Sequence, residues 1–359
     1  MINKLEMVLN DRITAFSELG NFLSQFKSSG YEKVNNISYT DEFFDGMVEK
    51  INSTKHHNGW FTKENIVFAI SQWSQALTIN NLGQWLSPYS IPEGTPKTVG
   101  IIMAGNIPLV GFHDFLCVLI SGHRVLVRQS SNDDQLLPYI ASYLMAIEPR
   151  FNDLISFTKE KFTNFDAIIA TGSNNTARYF EHYFGKKPHI IRKNRNSVAI
   201  LTGNETKEEL TALGEDIFRY FGLGCRSVSK LMVPENYDFN LFFTALYPYN
   251  DIINGAKYAN NYDYNKAVYL MSNFKLLENG FIILKEDSSY GSPIATLFYE
   301  KYTSKEELQQ KLEANKENLQ CIVSNNFSKE SIDFGTTQYP SLSDYADNKD
   351  VIEFLTTIN

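Results

Sequence analysis

Cysteine is scarce in this sequence. Three occur in 359 residues, Cys117, Cys225 and Cys321, too far apart for a disulfide framework and without a CxxC pair to hold a metal. The default reading of each is a buried thiol in a reduced compartment. His56, His57, His113 and His123 show no ligand spacing and HExxH is absent, so no metal site is expected. Long apolar runs are missing too: the longest are broken by His, Asp or Gly, well short of a bilayer span. The first residues, Met1-Ile2-Asn3-Lys4-Leu5-Glu6, carry an early acid and no apolar signal-peptide core, which points to a cytoplasmic protein without membrane insertion. Positive charge is in deficit, 33 Lys and Arg against 41 Asp and Glu, so a net charge of -8 argues against general affinity for nucleic acid or anionic membranes. Any phosphate must then be held by a local basic cluster or by backbone amides.

What is abundant is core material. At 43% hydrophobic and 14% aromatic residues, 359 residues suffice for two domains. Leu5, Leu9, Ile13, Phe16, Leu19, Leu23 and Phe26 recur at helical spacing, as do Ile66, Ile70, Trp73 and Leu77. Residues 87–96 are rich in Pro and read as a linker. Short apolar strands then alternate with helices: strands at 99–103, 124–128, 166–170 and 198–201, helices at 109–120, 136–147 and from Asn174. A capping box, Thr206 with Glu209, opens another helix. Further strands are expected at 230–233, 281–284, 294–298 and 321–323, with a helix opened by Ser304 and Glu307. Apolar strands alternating with helices predict an α/β fold with doubly wound parallel sheet. The expected organisation is a helical N-terminal segment (1–96), two α/β domains (97–197 and 198–330) and a tail (331–359) returning to the first domain or to a partner subunit.

Three segments carry chemical possibilities. Cys225 lies in Phe221-Gly222-Leu223-Gly224-Cys225-Arg226-Ser227, where glycines let the backbone pass close to a ligand and expose the thiol. Arg226 and a helix starting just beyond would favour the thiolate, the nucleophilic form; burial remains the alternative. Asn106, in Met103-Ala104-Gly105-Asn106-Ile107-Pro108, ends a strand where open α/β sheets bind ligands; it either donates to an oxyanion or simply makes the turn. Thr171-Gly172-Ser173, another strand-to-helix turn, has free amides that suit a phosphate, though no GxGxxG. His113 either faces the site or is a satisfied structural histidine.

In this order the segments resemble the aldehyde dehydrogenase superfamily, and within it the acyl-CoA reductases of the bioluminescence (LuxC) type, over about residues 98–235. Residues 104–108 stand where that superfamily has its oxyanion asparagine, and residues 125–130 match the strand whose end holds the adenosine ribose. Residues 171–173 match the pyrophosphate segment, and Cys225 stands in the nucleophile's place. The resemblance implies an aldehyde dehydrogenase-like fold, with residues 97–197 as a nucleotide-binding domain, 198–330 as a catalytic domain and the active site in the cleft between them. It implies catalysis by Cys225 and Asn106, and cofactor binding by Arg128, Ser130, Thr171, Gly172 and Ser173. It implies an NAD(P)H-dependent reductase that forms an acyl-enzyme on Cys225, from an acyl-CoA or an acyl-protein thioester, and yields an aldehyde. Homo-oligomers are common in such a family. Arg128 with Ser130 and Ser131, in place of the acid of NAD-selective members, suits a 2′-phosphate and hence NADPH over NADH. A cofactor-free cysteine acyltransferase or thioesterase is the alternative.

Two departures matter. Aldehyde-oxidising members carry a water-activating glutamate where this chain has Arg192-Lys193-Asn194-Arg195-Asn196-Ser197. A thioester without that base persists until a thiol such as coenzyme A takes it, which favours reduction; the basic run is otherwise a solvated edge. The glutamate that holds the nicotinamide ribose is expected near Ser289-Tyr290-Gly291-Ser292-Pro293, which has no carboxylate.

Overall fold

Apolar residues three and four apart build the first helix, α1 (Leu9–Leu23), which turns Phe16, Leu19, Phe22 and Leu23 inward. Burial of each such side chain contributes about 1.5–3 kcal/mol. The computed structural model describes residues 7–325, 327–329 and 331–358, so Leu5 lies outside the described residues. Phe26 leaves the helix: it is buried from a short hairpin, β1 (Phe26–Lys27) with β2 (Gly30–Tyr31). Three more helices follow, α2 (Thr40–His57), α3 (Lys63–Ala76) and α4 (Ile79–Leu86); Thr62 and Thr78 cap the last two through their hydroxyls. Residues 89–97 have neither helix nor strand.

The chain divides into two compact units, Met1–Lys193 with Ser341–Asn359, and Asn194–Pro340. The first holds a five-stranded sheet, β3 (Thr98–Ile102), β4 (Arg124–Arg128), β5 (Ile155–Phe157), β6 (Ala167–Thr171) and β7 (His189–Arg192), all parallel in the order β5-β4-β3-β6-β7. Chain order starts at the centre, runs outward one way, then reverses between β3 and β6, the arrangement of dinucleotide-binding sheets. Side-chain alternation serves two faces: Ala167 and Ile169 of β6 join the large core with Phe112 and Phe115, while Ile168 and Ala170 pack with Ala177 on the other side. The helices are α5 (Phe112–Ile120), α6 (Leu136–Ile147) and α7 (Asn174–Phe184).

α5 starts three residues later than its apolar pattern predicts. Leu109 adopts a left-handed conformation (φ 57°), which a helix interior does not tolerate. β5 and β7 are not apparent in the sequence, because three- and four-residue strands are too short to show a period. The unit is completed by α12 (Val351–Thr356), whose Val351, Ile352 and Leu355 enter the same core; Trp85 donates to Tyr345 Oη at 2.9 Å, tying the C-terminal segment to α4.

The second unit holds six strands, β8 (Asn196–Ile200), β9 (Val228–Pro234), β10 (Leu276–Glu278), β11 (Ile283–Glu286), β12 (Thr296–Tyr302) and β13 (Leu319–Val323), in the order β10-β11-β12-β9-β8-β13. All neighbours are parallel except β10 with β11. Ala199 and Leu201 face α8 (Lys207–Phe218), which the Thr206–Glu209 capping box opens; Val198 and Ile200 face Leu308 and Leu312 of α11 (Lys305–Ala314). Helices α9 (Phe239–Leu246) and α10 (Ala256–Met271) lie between these in sequence. β11 begins at Ile283 rather than Phe281, because the Asn279 side chain accepts from the Phe281 and Ile282 amides and holds them in a turn. β12 begins at Thr296, after left-handed Ala295 (φ 61°).

Candidate active site

On the first unit, parallel strands bring three of the anticipated segments to one edge. The register aligns Ile102 with Arg128 on one side and with Ala170 on the other, so the chain leaves β3, β4 and β6 at the same, carboxyl end of the sheet. Asn106 is exposed in the loop after β3. A Cβ on Gly105 would lie 2.6 Å from Ser130 Cβ, so only glycine lets the loops after β3 and β4 pack this closely. The Ser130 hydroxyl accepts from the Asn132 amide at 3.3 Å, fixing its own loop, and the Arg128 side chain is exposed at the strand end. Residues 171–173 leave buried β6 for the start of α7, where Ser173 caps the helix by accepting from the Thr176 amide at 3.2 Å. The positive end of α7 and its first amides face the same edge, a setting for an anion.

Asp133 braces the Asn106 loop, although in the sequence it is one acid in a polar stretch with no signal of its own. Its Oδ2 accepts from the amide of left-handed Leu109 at 3.1 Å, while its Oδ1 has no partner. Burial pushes its pKa up to about 7, against the Leu109 hydrogen bond that lowers it. Asp133 thus holds a strained residue three positions beyond Asn106.

His113 belongs to the core. Its ring lies beside Trp73, Trp85 and Tyr345, its Nε2 is 3.0 Å from the Leu342 carbonyl, and burial lowers its pKa. The basic run at 192–195 separates. Arg192 ends β7 and is buried, pairing through both terminal nitrogens with Asp114, with Nη2–Oδ1 at 2.9 Å. Lys193 is exposed and pairs with Glu181, and Arg195 belongs to the second unit, where it donates to the Leu319 carbonyl. A solvated edge describes Lys193 alone.

Cys225, on the second unit, is the one exposed cysteine of the three; Cys117, in α5 of the first unit, and Cys321 are buried, and burial raises the Cys117 thiol well above its ordinary value. Residues 224–227 form a β-turn closed by the Ser227 amide donating to the Gly224 carbonyl at 3.0 Å, with Cys225 at its second position. Just before it, Tyr220, Phe221 and Gly222 are all left-handed (φ 55°, 59° and 75°). Glycine adopts this freely, but the two aromatics cost about 1–2 kcal/mol each. Such strain persists only where surrounding structure enforces it, and it immediately precedes the turn that carries the exposed thiol. No helix follows Cys225: β9 begins at Val228, so the expected help from a helix start is absent. Arg226 is engaged with the backbone, its Nε donating to the Thr337 carbonyl at 2.7 Å.

The loop after β11 holds no carboxylate between residues 288 and 293. Ser229 donates to the Tyr290 carbonyl, and a Cβ on Gly291 would meet Asn196 Oδ1 at 2.8 Å. The flanking acids are committed, Asp287 to Lys285 and Glu300 to Lys230 and Lys311. Among the described residues no three His, Cys, Asp or Glu converge as a metal set, and no helix is long and apolar enough to cross a membrane.

Residues 88–245 match the family model described as acyl-CoA reductase (LuxC). No curated protein matches the chain in sequence. Solved structures match in fold. An oxidoreductase from Marinobacter aquaeolei aligns over 94% of this chain and 85% of its own, at TM-score 0.62 and 11% identity. An indole-3-acetaldehyde dehydrogenase in complex with NAD+ aligns over 91% and 78%, at TM-score 0.64 and 11% identity. An aldehyde dehydrogenase from Bacillus cereus in an NAD+ complex aligns over 89% and 72%, at TM-score 0.59 and 13% identity. The architecture is that of the aldehyde dehydrogenases.

Proposed function

We propose, from the match of residues 88–245 to the acyl-CoA reductase (LuxC) family model and from the aldehyde dehydrogenase fold, that this chain captures an acyl group from a coenzyme A thioester on Cys225 and reduces it to an aldehyde. The observation that carries the proposal is the strained, glycine-bounded turn that presents Cys225 as the one exposed cysteine. The Cys225 thiolate adds to the thioester carbonyl, Asn106 donates to the oxyanion, and expulsion of the coenzyme A thiolate, which takes a proton from solvent, leaves acyl-Cys225.

The first unit suits a dinucleotide: the strand order reverses between β3 and β6, Gly105 packs closely against Ser130, and α7 opens at residues 171–173. Arg128, Ser130, Thr171, Gly172 and Ser173 would hold it, with Arg128 favouring the 2′-phosphate of NADPH. A reduced nicotinamide held by these residues would supply the hydride that reduces acyl-Cys225, and the Cys225 sulfur would then leave, taking up a proton, as the aldehyde is released. Arg192 supports reduction over hydrolysis, because a guanidinium already bonded to Asp114 cannot accept a proton from water.

The test is mass spectrometry after incubation with acyl-CoA and no reductant. Acylation mapped to Cys225, discharged as aldehyde on adding NADPH, is the expected result. Acylation that NADPH does not discharge would make the protein a cysteine acyltransferase or thioesterase, and no acylation at Cys225 would end the proposal.

A further inference from the structure

Behind the Cys225 turn lies a chain of polar contacts that the chemistry above does not use. Asp216 on α8 is completely buried. It accepts from the Gly335 amide at 2.6 Å, the Thr337 amide at 2.9 Å and the Thr337 hydroxyl at 2.8 Å. Three donors on one buried carboxylate fix residues 335–337 against α8. Thr337, also completely buried, returns its carbonyl to Arg226 Nε at 2.7 Å, one residue past the thiol. The turn has a second anchor in Ser197, whose hydroxyl donates to the Cys225 carbonyl at 2.9 Å while accepting from the Cys321 amide at 3.1 Å. Cys225 is therefore held by its own carbonyl on one side and through Arg226 on the other. Holding is needed, because the left-handed run at 220–222 immediately precedes the turn and relaxes if nothing enforces it.

We propose that Thr337 is a positioning residue for Cys225: locked by Asp216, it fixes Arg226 and with it the orientation of the turn that carries the thiol. Arg226 accordingly acts as a tether between the Cys225 turn and Thr337. The proposal rests on Cys225 being the acyl carrier. The sequence offers no local sign of it, since Thr337 lies 121 residues from Asp216 and 111 from Arg226.

The experiment measures the single-turnover rate of Cys225 acylation at varied acyl-CoA in the full-length protein. Thr337→Val removes the hydroxyl donor to Asp216 while keeping shape, and Thr337→Ser restores it. Arg226→Met cuts the tether from the other end and keeps the aliphatic stem. Displacing a reacting group by about 1 Å can cost about a hundredfold, so a loosened turn is expected to slow the saturated acylation rate by about tenfold or more. The half-saturating acyl-CoA concentration stays within about twofold, because the turn positions the nucleophile rather than the bound thioester. Thr337→Ser recovers most of the rate. The double variant Thr337→Val/Arg226→Met is no slower than the slower single one, since both break the same chain. Wild-type rate in Thr337→Val, a loss that Thr337→Ser does not recover, or additive losses in the double variant would overturn the proposal. If Thr337→Val does not fold, the Arg226→Met rate decides in its place. Absence of acylation in the wild type would instead overturn the assignment of Cys225 itself.

Discussion

Arg192 and Asp114 face each other inside the first unit, joined by two parallel N–H···O contacts, with Nη2–Oδ1 at 2.9 Å and both side chains almost wholly buried. The strand end of β7 is thereby bonded to the first turn of α5, 78 residues earlier. Removing one partner strands the other charge out of water, which costs about 3–5 kcal/mol, whereas replacing both with apolar residues is far milder. Asp114→Leu is therefore expected to lower stability by about that amount, and Asp114→Leu/Arg192→Met to recover much of it. Urea denaturation of the three proteins checks this; a double variant as unstable as the single one would refute it.

On the proposed reading, Arg192 stands in the sequence where aldehyde oxidisers carry their water-activating base, and the pair with Asp114 leaves no carboxylate in that role. General-base assistance to water is worth about a hundredfold to ten-thousandfold, and Arg192 cannot provide it. Incubated with aldehyde and NADP+ but no thiol, the protein is expected to stop after about one turnover and to resume when coenzyme A is added. Sustained release of free carboxylic acid, followed by chromatography, would show that some other base reaches the thioester.

Asn106→Ala tests the oxyanion donor. Loss of one such donor costs about a hundredfold to a thousandfold in turnover, with little change in apparent affinity. A decrease of less than about threefold in kcat would return Asn106 to a turn residue, in a loop that the Leu109–Asp133 bond helps to hold.

Arg128 tests the cofactor. NADPH is expected to have the higher kcat/KM. Arg128→Ala should lower that value about tenfold or more, the equivalent of roughly 1.4 kcal/mol, while leaving NADH within about threefold. Equal losses with both cofactors would place Arg128 away from the 2′-phosphate.

Asp216 makes stability depend on pH. Burial raises its pKa to about 6, opposed by its bonds from Gly335 and Thr337. A carboxyl whose pKa is raised on folding contributes stability at pH values below its ordinary 3.8, and loses it as pH rises through about 6. Relative to Asp216→Asn, the wild type should lose about 2 kcal/mol between pH 4 and pH 7. Urea titrations of both proteins at the two pH values measure the difference, and a constant difference would refute the raised pKa.

Much of the architecture was legible in the residues themselves. Parallel strands covered on both faces must be apolar along their length, so β3, β4, β6, β8 and β9 stand out as short hydrophobic runs between helices. The Thr206 and Ser304 caps marked helix starts that the structure keeps, because capping is decided within four residues. The glycines around Cys225 distinguished its thiol from those of Cys117 and Cys321, and only Cys225 is exposed. Tertiary structure decided the rest. Left-handed Leu109 delays α5 because Asp133, 24 residues away, takes its amide. Arg192 reads as part of a basic run until Asp114 draws it inside. Thr337 looks like any polar residue until α8 folds Asp216 against it. Local periodicity reports which face of an element seeks the core, since that depends on neighbours a few residues away. Which buried charge finds which donor depends on partners brought together only when the sheet closes, and no spacing along the chain records that.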